Sequence, residues 1–345
     1  ALGEHKASAA AYGDFISVTG SLKTDDDETK RLVALVPDAH LEIGRVHERM
    51  GASGLKNAVK YYGIVASKFD SRPELQIEAI GRTMKLLIAA DRESGKAKNT
   101  STIQKYIKQV LETWEKDGAK GGNAQYYFAQ SLFQSAEYLF DAFARLSLKD
   151  VKNMKMLKPM LEKQAITLKA AEKSYFDVID NTATGQGKYF AACAAYKVGM
   201  LYFRFKEDLF NAPLPKQVER AVDAGFPEVE ERYRHAIEQV AAPIEEQSLV
   251  ALRGAIQTAH NLGAYNDCTR AAGEVAAKVN PNEYPTVEKD PNLPRATTAL
   301  DNNKTTDTSS SAAFITRVRR GKFTVSYKPE DIESKLTRKA PAETK

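Results

Sequence analysis

Residues 40–84 read HLEIGRVHERMGASGLKNAVKYYGIVASKFDSRPELQIEAIGRTM, and their spacing decides the fold. Apolar residues precede a glycine by one and follow at helical intervals. His40, Ile43, Gly44 and His47 make one such group, and Ile77, Ile80, Gly81 and Met84 make a second. Between them lies Ala58-Tyr62-Val65, an alanine, an aromatic four residues on and an apolar residue three further. These intervals place each set on one face of a helix. A glycine on such a face lets a neighbouring helix approach closely, and its apolar neighbours fill the seam. Pro73 is read as the terminator of the helix that holds Tyr62.

Working outward, the same groups recur. Ala195, Val198, Gly199 and Tyr202 repeat the first, Phe128, Ala129 and Leu132 give a weaker copy, and Ala171-Tyr175-Val178 repeats the second. Ile103, Ile107, Val110, Leu111 and Trp114 line one face of a further helix, with Ser101 and Gln104 as its capping box. Met154, Leu157 and Leu161 start a long helix toward Val178. Pro227 opens a helix buried through Val229, Tyr233, Ile237 and Val240, and Pro243 is read as the start of the next. Gly and Pro number 33 of 345 residues, below the roughly 12% average, as long helices require.

Small residue in one helix, alanine and aromatic in the next, proline at the exit: this pattern resembles the tetratricopeptide repeat. The spacings are 37 residues from Gly44 to Gly81, 48 to Ala129 and 70 to Gly199, against a regular period of about 34. The resemblance therefore implies an all-α chain, an irregular tetratricopeptide-like solenoid of long antiparallel helix pairs. A narrower resemblance rests on YFAACAAYKVGMLYFRFKEDLFNAPLPK at 189–216, PIEEQSLVALRGAIQTAHNLGAYNDCTR from residue 243 and VNPNEYP at 279–285. These segments are similar to envelope tetratricopeptide proteins of the myxobacterial gliding-motility type, over roughly residues 37–285. Cys268 stands where that group has an aromatic, and the lipidated N-terminal Cys of its lipoproteins is missing. The resemblance implies a scaffold bound to other protein subunits in the periplasm or at the outer membrane, in motility or envelope-maintenance machinery. A cytoplasmic adaptor or chaperone for exported proteins has the same kind of body and is the alternative.

Four regions follow: a polar extension at 1–36, the helical body at 37–285, a disordered polar linker at 286–313 and a basic tail at 314–345. The opening ALGEHKASAAAYGD has no signal-peptide pattern, so a signal segment is taken as absent or removed. No apolar run reaches 18 residues, so no transmembrane segment is expected. The net charge is +5, from 50 basic and 45 acidic residues, a balance too mild for a chain that lives on a phosphate backbone. No nucleic-acid partner is expected.

The search for chemistry ends without a catalytic set, a metal site or a cofactor, and the chain is read as non-enzymatic. His40 and His47 lie about 10.5 Å apart along a helix, too far for one metal ion. They are read as packing residues, and His235 as solvated. Cys193, in AACAAY, is read as a small apolar residue; Cys268 has no nearby His; two cysteines make no disulfide framework. Gly185-Gln186-Gly187-Lys188 lacks the glycine and the strand of a phosphate loop and is read as an inter-helix loop. Asp25, Asp26, Asp27 and Glu28 are consecutive, unlike a calcium loop, and are read as a solvated helix start.

Surface residues remain. The repeat resemblance places Arg45, Arg49, Arg82, Lys85, Tyr196, Met200 and Arg204 on a concave face, basic and partly aromatic, suited to an acidic or C-terminal peptide. In the tail, FITRVRRGKFTVSY alternates through Phe314, Thr316 and Val318 and through Phe323, Val325 and Tyr327, with Arg317, Arg319, Arg320 and Lys322 between. It reads as a β-hairpin or as one strand added to a partner's sheet. Residues 301–345 hold 10 basic and 6 acidic side chains, so a protein partner is expected there, with peripheral binding to an anionic membrane surface as the other option.

Overall fold

The computed structural model describes residues 2–23, 26–117, 121–151 and 154–282. The tail element from Phe314 to Tyr327 and the linker before it lie outside the described residues. Among the described residues the chain is all-helical, with twelve α-helices and no strand. They are α1 (Leu2–Gly20), α2 (Asp27–Ala34), α3 (Val36–Arg49), α4 (Leu55–Lys68), α5 (Pro73–Ser94), α6 (Thr100–Asp117), α7 (Gly122–Ala144), α8 (Met154–Thr182), α9 (Lys188–Phe210), α10 (Lys216–Asp223), α11 (Glu228–Leu262) and α12 (Asp267–Val279). The chain divides into two compact units, Ala1–Gln134 and Ser135–Lys345, with the boundary inside α7.

Local chemistry sets the helix ends. The Asp26 carboxylate accepts the Thr29 amide at 2.8 Å and caps α2, with Asp27 and Glu28 in its first turn. So the described part of the acidic run is a helix start. Pro73 does not close α4: it occupies the first position of α5, where its missing N–H costs nothing. The Ser101 capping box does not form, because α6 begins at Thr100. Instead the Asp91 carboxylate receives the amides of Lys98 and Asn99 just ahead of α6. Gly95 and Gly263 end α5 and α11 in the left-handed conformation, with φ of 63° and 60°, where a side chain would be strained. Asn266 then caps α12 by accepting the Thr269 amide at 3.1 Å. The Gly263–Thr269 segment is thus the stop of one helix and the start of the next.

Pro243 does not start a helix. It lies inside α11, which runs unbroken for 35 residues. An interior proline removes one hydrogen bond and costs about 3 kcal/mol. The helix continues because Tyr233, Ile237 and Val240 before the proline and Ile244, Ala251 and Leu252 after it are all buried.

In the first unit, α3 packs on α4, α4 on α5 and α5 on α6, and α1 lies against α3. Ala58, Tyr62 and Val65 are fully buried, as their spacing implies. Leu41, Leu75 and Ala79 close around them, and Ile77, Ile80, Val110, Ala124, Tyr127 and Phe128 form a second cluster. Gly44 is a close-approach site: a Cβ there would stand 2.4 Å from the Tyr62 ring. At Gly81 it would stand 2.3 Å from the Tyr127 ring.

In the second unit, α9 packs on α8 and on α11, and α12 on α11 and α9. Gly199 meets Leu252 and Lys206 meets Glu245 at 2.8 Å, so α9 and α11 run antiparallel. Ala171, Tyr175 and Val178 are fully buried. Gly185 to Gly187 is a short 3-10 turn between α8 and α9, the inter-helix loop expected. Cys193 is not a free packing residue: it is bonded to Cys268 in a disulfide that spans 75 residues. The spacing could not show this, because α9 and α12 meet only after α11 has returned alongside α9.

Candidate functional site

The face expected to be basic is built first from α3 and α5. Opposite charges meet at three levels. Arg72 donates to Asp38 at 3.2 Å, Arg45 to Glu78 at 3.1 Å through Nε, and Arg82 to Glu48 at 2.9 Å. The separations along the chain are 34, 33 and 34 residues. Both members advance together, so α3 and α5 run parallel. Arg45 also reaches Glu42, and Arg82 donates to Glu78 at 2.7 Å. Asn123 adds a third donor to Glu78 at 2.9 Å, and Tyr62 donates to Glu48 at 2.6 Å.

The Glu78 side chain is 4% exposed. Burial pushes its carboxyl up, but the hydrogen bonds from Arg45 and Arg82 outweigh that and hold it below the ordinary range. Burial alone would ease the proton off Arg45 and Arg82; contact with Glu78 and, at Arg82, the nearby Tyr127 ring hydroxyl keep both firmly charged. The cleft beside them, about 250 Å³, is lined by Asp38, Glu42, Arg45, Glu74, Glu78 and Asn123 among others. Its four carboxylates are all engaged by arginines: Asp38 and Glu74 by Arg72, Glu42 by Arg45, and Glu78 by Arg45 and Arg82. Arg45 and Arg82 are therefore internal ion-pair partners, and the positive charge expected from them is cancelled locally. Arg49 and Lys85 are exposed.

Buried tyrosines repeat one device. Tyr62 donates to Glu48, Tyr175 to Glu137 and Tyr202 to Glu172. Burial first, and the carboxylate next to it, raise each phenol well above its usual value. These hydroxyls keep their protons and fix helix to helix.

In the second unit, Tyr196, Met200 and Arg204 follow at helical spacing on α9. Tyr196 and Met200 are half-buried and Arg204 is exposed. Arg204 and Lys197 both lie over the Phe140 ring, at 5.1 and 4.6 Å from its centroid, a cation–π arrangement. Lys197 also pairs with Glu137 at 2.8 Å. Arg204 borders a cleft of about 290 Å³ with Phe143, Leu146, Lys149, Gln164 and Asp208. Asp208 is committed inside it, accepting Ser147 Oγ at 3.1 Å, the Leu148 amide at 3.0 Å and the Gln164 amide group. Lys149 and Arg204 are exposed at its mouth.

His40 and His47 both pack on Tyr61, with ring centroids 6.1 and 5.8 Å away, and His235 is exposed. Among the described residues no group of three or more His, Cys, Asp or Glu is placed to hold a metal ion. Among them, too, no helix is long and apolar enough to cross a membrane. The acidic partners Glu42, Glu48 and Glu78 are not among the residues that the repeat pattern places on this face. A signal for two of them is present in the sequence: Asp38/Arg72, Arg45/Glu78 and Glu48/Arg82 are opposite charges 33 or 34 residues apart. Comparison with protein-family models, with curated proteins and with solved structures finds no match.

Proposed function

We propose that the chain is a non-enzymatic protein–protein interaction scaffold of tetratricopeptide-like helix pairs, working in a bacterial envelope-associated assembly of the motility or envelope-maintenance kind. The observation that carries it is the α3–α5 ladder. Its rungs at 34, 33 and 34 residues match the tetratricopeptide period of about 34. Gly44 seated on Tyr62 supplies the small-residue-on-aromatic seam of such a pair.

The disulfide Cys193–Cys268 supports a periplasmic or outer-membrane-associated site of action over a cytoplasmic adaptor, because such bonds persist in oxidising compartments. Each unit offers its own surface to a protein subunit: exposed Arg49 and Lys85 in the first, and exposed Arg204 beside half-buried Tyr196 and Met200 in the second. Arg45 and Arg82 are left out because their charge is committed.

Cross-linking and mass spectrometry in the native cell test this. Partner cross-links should map beside Lys85, Lys149 and Lys197, and the Arg49→Glu, Lys85→Glu and Arg204→Glu variants should lose them while keeping the wild-type helical signal. Undiminished cross-links in all three variants would remove both surfaces from consideration. Two free thiols at Cys193 and Cys268 in freshly lysed, alkylated cells would favour the cytoplasmic reading.

A further inference from the structure

The disulfide holds a helix that has little else to hold it. The buried residues of α12 are Thr269, Ala272, Ala276 and Ala277. Each removes little apolar surface from water, since burial stabilises roughly in proportion to apolar area. The stretch of α9 around Cys193, from Ala191 to Ala195, is buried and otherwise all alanine. The body of the unit packs differently. Leu201, Tyr202, Phe205 and Leu209 on α9 and Tyr233, Ile237, Ile244 and Leu252 on α11 are large and buried, and α9 and α11 share the longest seam in the unit without α12.

The two cysteines also differ in burial. Cys193 is 1% exposed. Cys268 is half-buried in the first turn of α12, beside exposed Asp267 and exposed Tyr265. A reductant in solution therefore approaches the bond from the Cys268 side.

We propose that Cys193–Cys268 is a redox latch: its reduction by a dithiol frees α12 from α9 and α11 while the rest of the unit stays folded. A thiolate of the dithiol attacks Cys268 Sγ, forming a mixed disulfide and expelling Cys193 as a thiolate that takes up a proton. The second thiol of the dithiol then attacks the mixed disulfide, releasing the Cys268 thiol. Two electrons and two protons pass to the protein, and the dithiol becomes a disulfide. The latch stands apart from the scaffold reading and needs no partner.

Hydrogen exchange on the full chain, oxidised and then treated with dithiothreitol, tests it, with thiol alkylation to show that the bond is closed before and open after. Exchange in peptides covering 267–279 rises at least about ten-fold on reduction, while peptides from 228–240 and from α3 to α5 change less than about two-fold, the signature of local opening. The Cys268→Ser variant shows the opened pattern without reductant. Unchanged protection of 267–279 in reduced protein overturns the proposal. So does a rise throughout α9 and α11, which would make the bond a support of the whole unit. Free thiols in the untreated protein overturn it as well.

Discussion

Arg45 of α3 and Glu78 of α5, 33 residues apart in the chain, meet as a largely buried ion pair with the guanidinium Nε 3.1 Å from the carboxylate. Arg82 and Asn123 donate to the same carboxylate, so one acidic group ties α3, α5 and α7 together within the first unit. The arrangement explains why two arginines that sequence places on a binding face are instead held inside the structure.

Glu78→Gln should destabilise the first unit by about 1–3 kcal/mol, because it removes the counter-charge shared by two partly buried guanidinium groups and leaves Arg45 with Glu42 alone and Arg82 with Glu48 alone. Urea unfolding of wild type and variant measures it. The pH dependence has a definite sign. The Glu78 carboxyl is lowered from an ordinary value of 4.5, so its contribution is fully present above that value and is lost as pH falls through the folded-state value. The variant should lack this acid-side loss.

Gly44→Ala should cost about 1–3 kcal/mol, since the added methyl would fall 2.4 Å from the Tyr62 ring and overpacked cores shift at that cost. Tyr62 cannot step aside, because it is fully buried and its hydroxyl is held by Glu48. Gly63→Ala is the control on α4: nothing lies within 4 Å of its Cβ position. That change should raise the unfolding free energy by about 0.5–1 kcal/mol through helix propensity. Equal responses from the two variants would argue against the seam.

Glu172 behaves opposite to Glu78. Burial raises its carboxyl above the ordinary 4.5, and the hydrogen bond from Tyr202 only partly opposes this. A folded-state value above the unfolded one means that stability falls as pH rises from about 4.5 through the folded value. Glu172→Gln keeps an acceptor for the Tyr202 hydroxyl and removes the buried charge. Stability of the second unit near neutral pH should hold or rise by up to about 1 kcal/mol, and the slope between about pH 4 and 7 should flatten. A loss at neutral pH would show that the ionised form is needed there.

Pro243→Ala restores the hydrogen bond that α11 lacks at its middle. The position is exposed, so no packing is lost, and thermal unfolding should move upward by the equivalent of about 1–3 kcal/mol. A downward shift would show that the proline itself helps keep Val240 and Ile244 against their neighbours.

Much of the helical framework was legible. Ala58, Tyr62 and Val65, like Ala171, Tyr175 and Val178, sit at intervals that only a helix can bring to one face, and all six are fully buried. Gly44, Gly81 and Gly199 were readable as seams for the same reason. The helix ends were less legible. Ser101 resembles a cap, but the actual start is set by Asp91, which comes from the preceding helix. Pro243 resembles a start, but burial on both sides of it carries the helix through. Arg45 and Arg82 lie on α3 and α5, and Tyr196, Met200 and Arg204 on α9; that Glu78 neutralises Arg45 is signalled only by a charge pattern 33–34 residues away, far beyond the reach of helical periodicity.

Sequence alone determined that the described residues are helical and which apolar groups within them face inward, because helical periodicity is a local property carried within three or four residues. Tertiary structure alone decided the rest. It set Glu78 between two arginines, closed Cys193 onto Cys268 across 75 residues and put the boundary of the two units inside α7. Each of these depends on which helix returns beside which, and that is settled by packing over the whole unit, not by any one stretch of sequence.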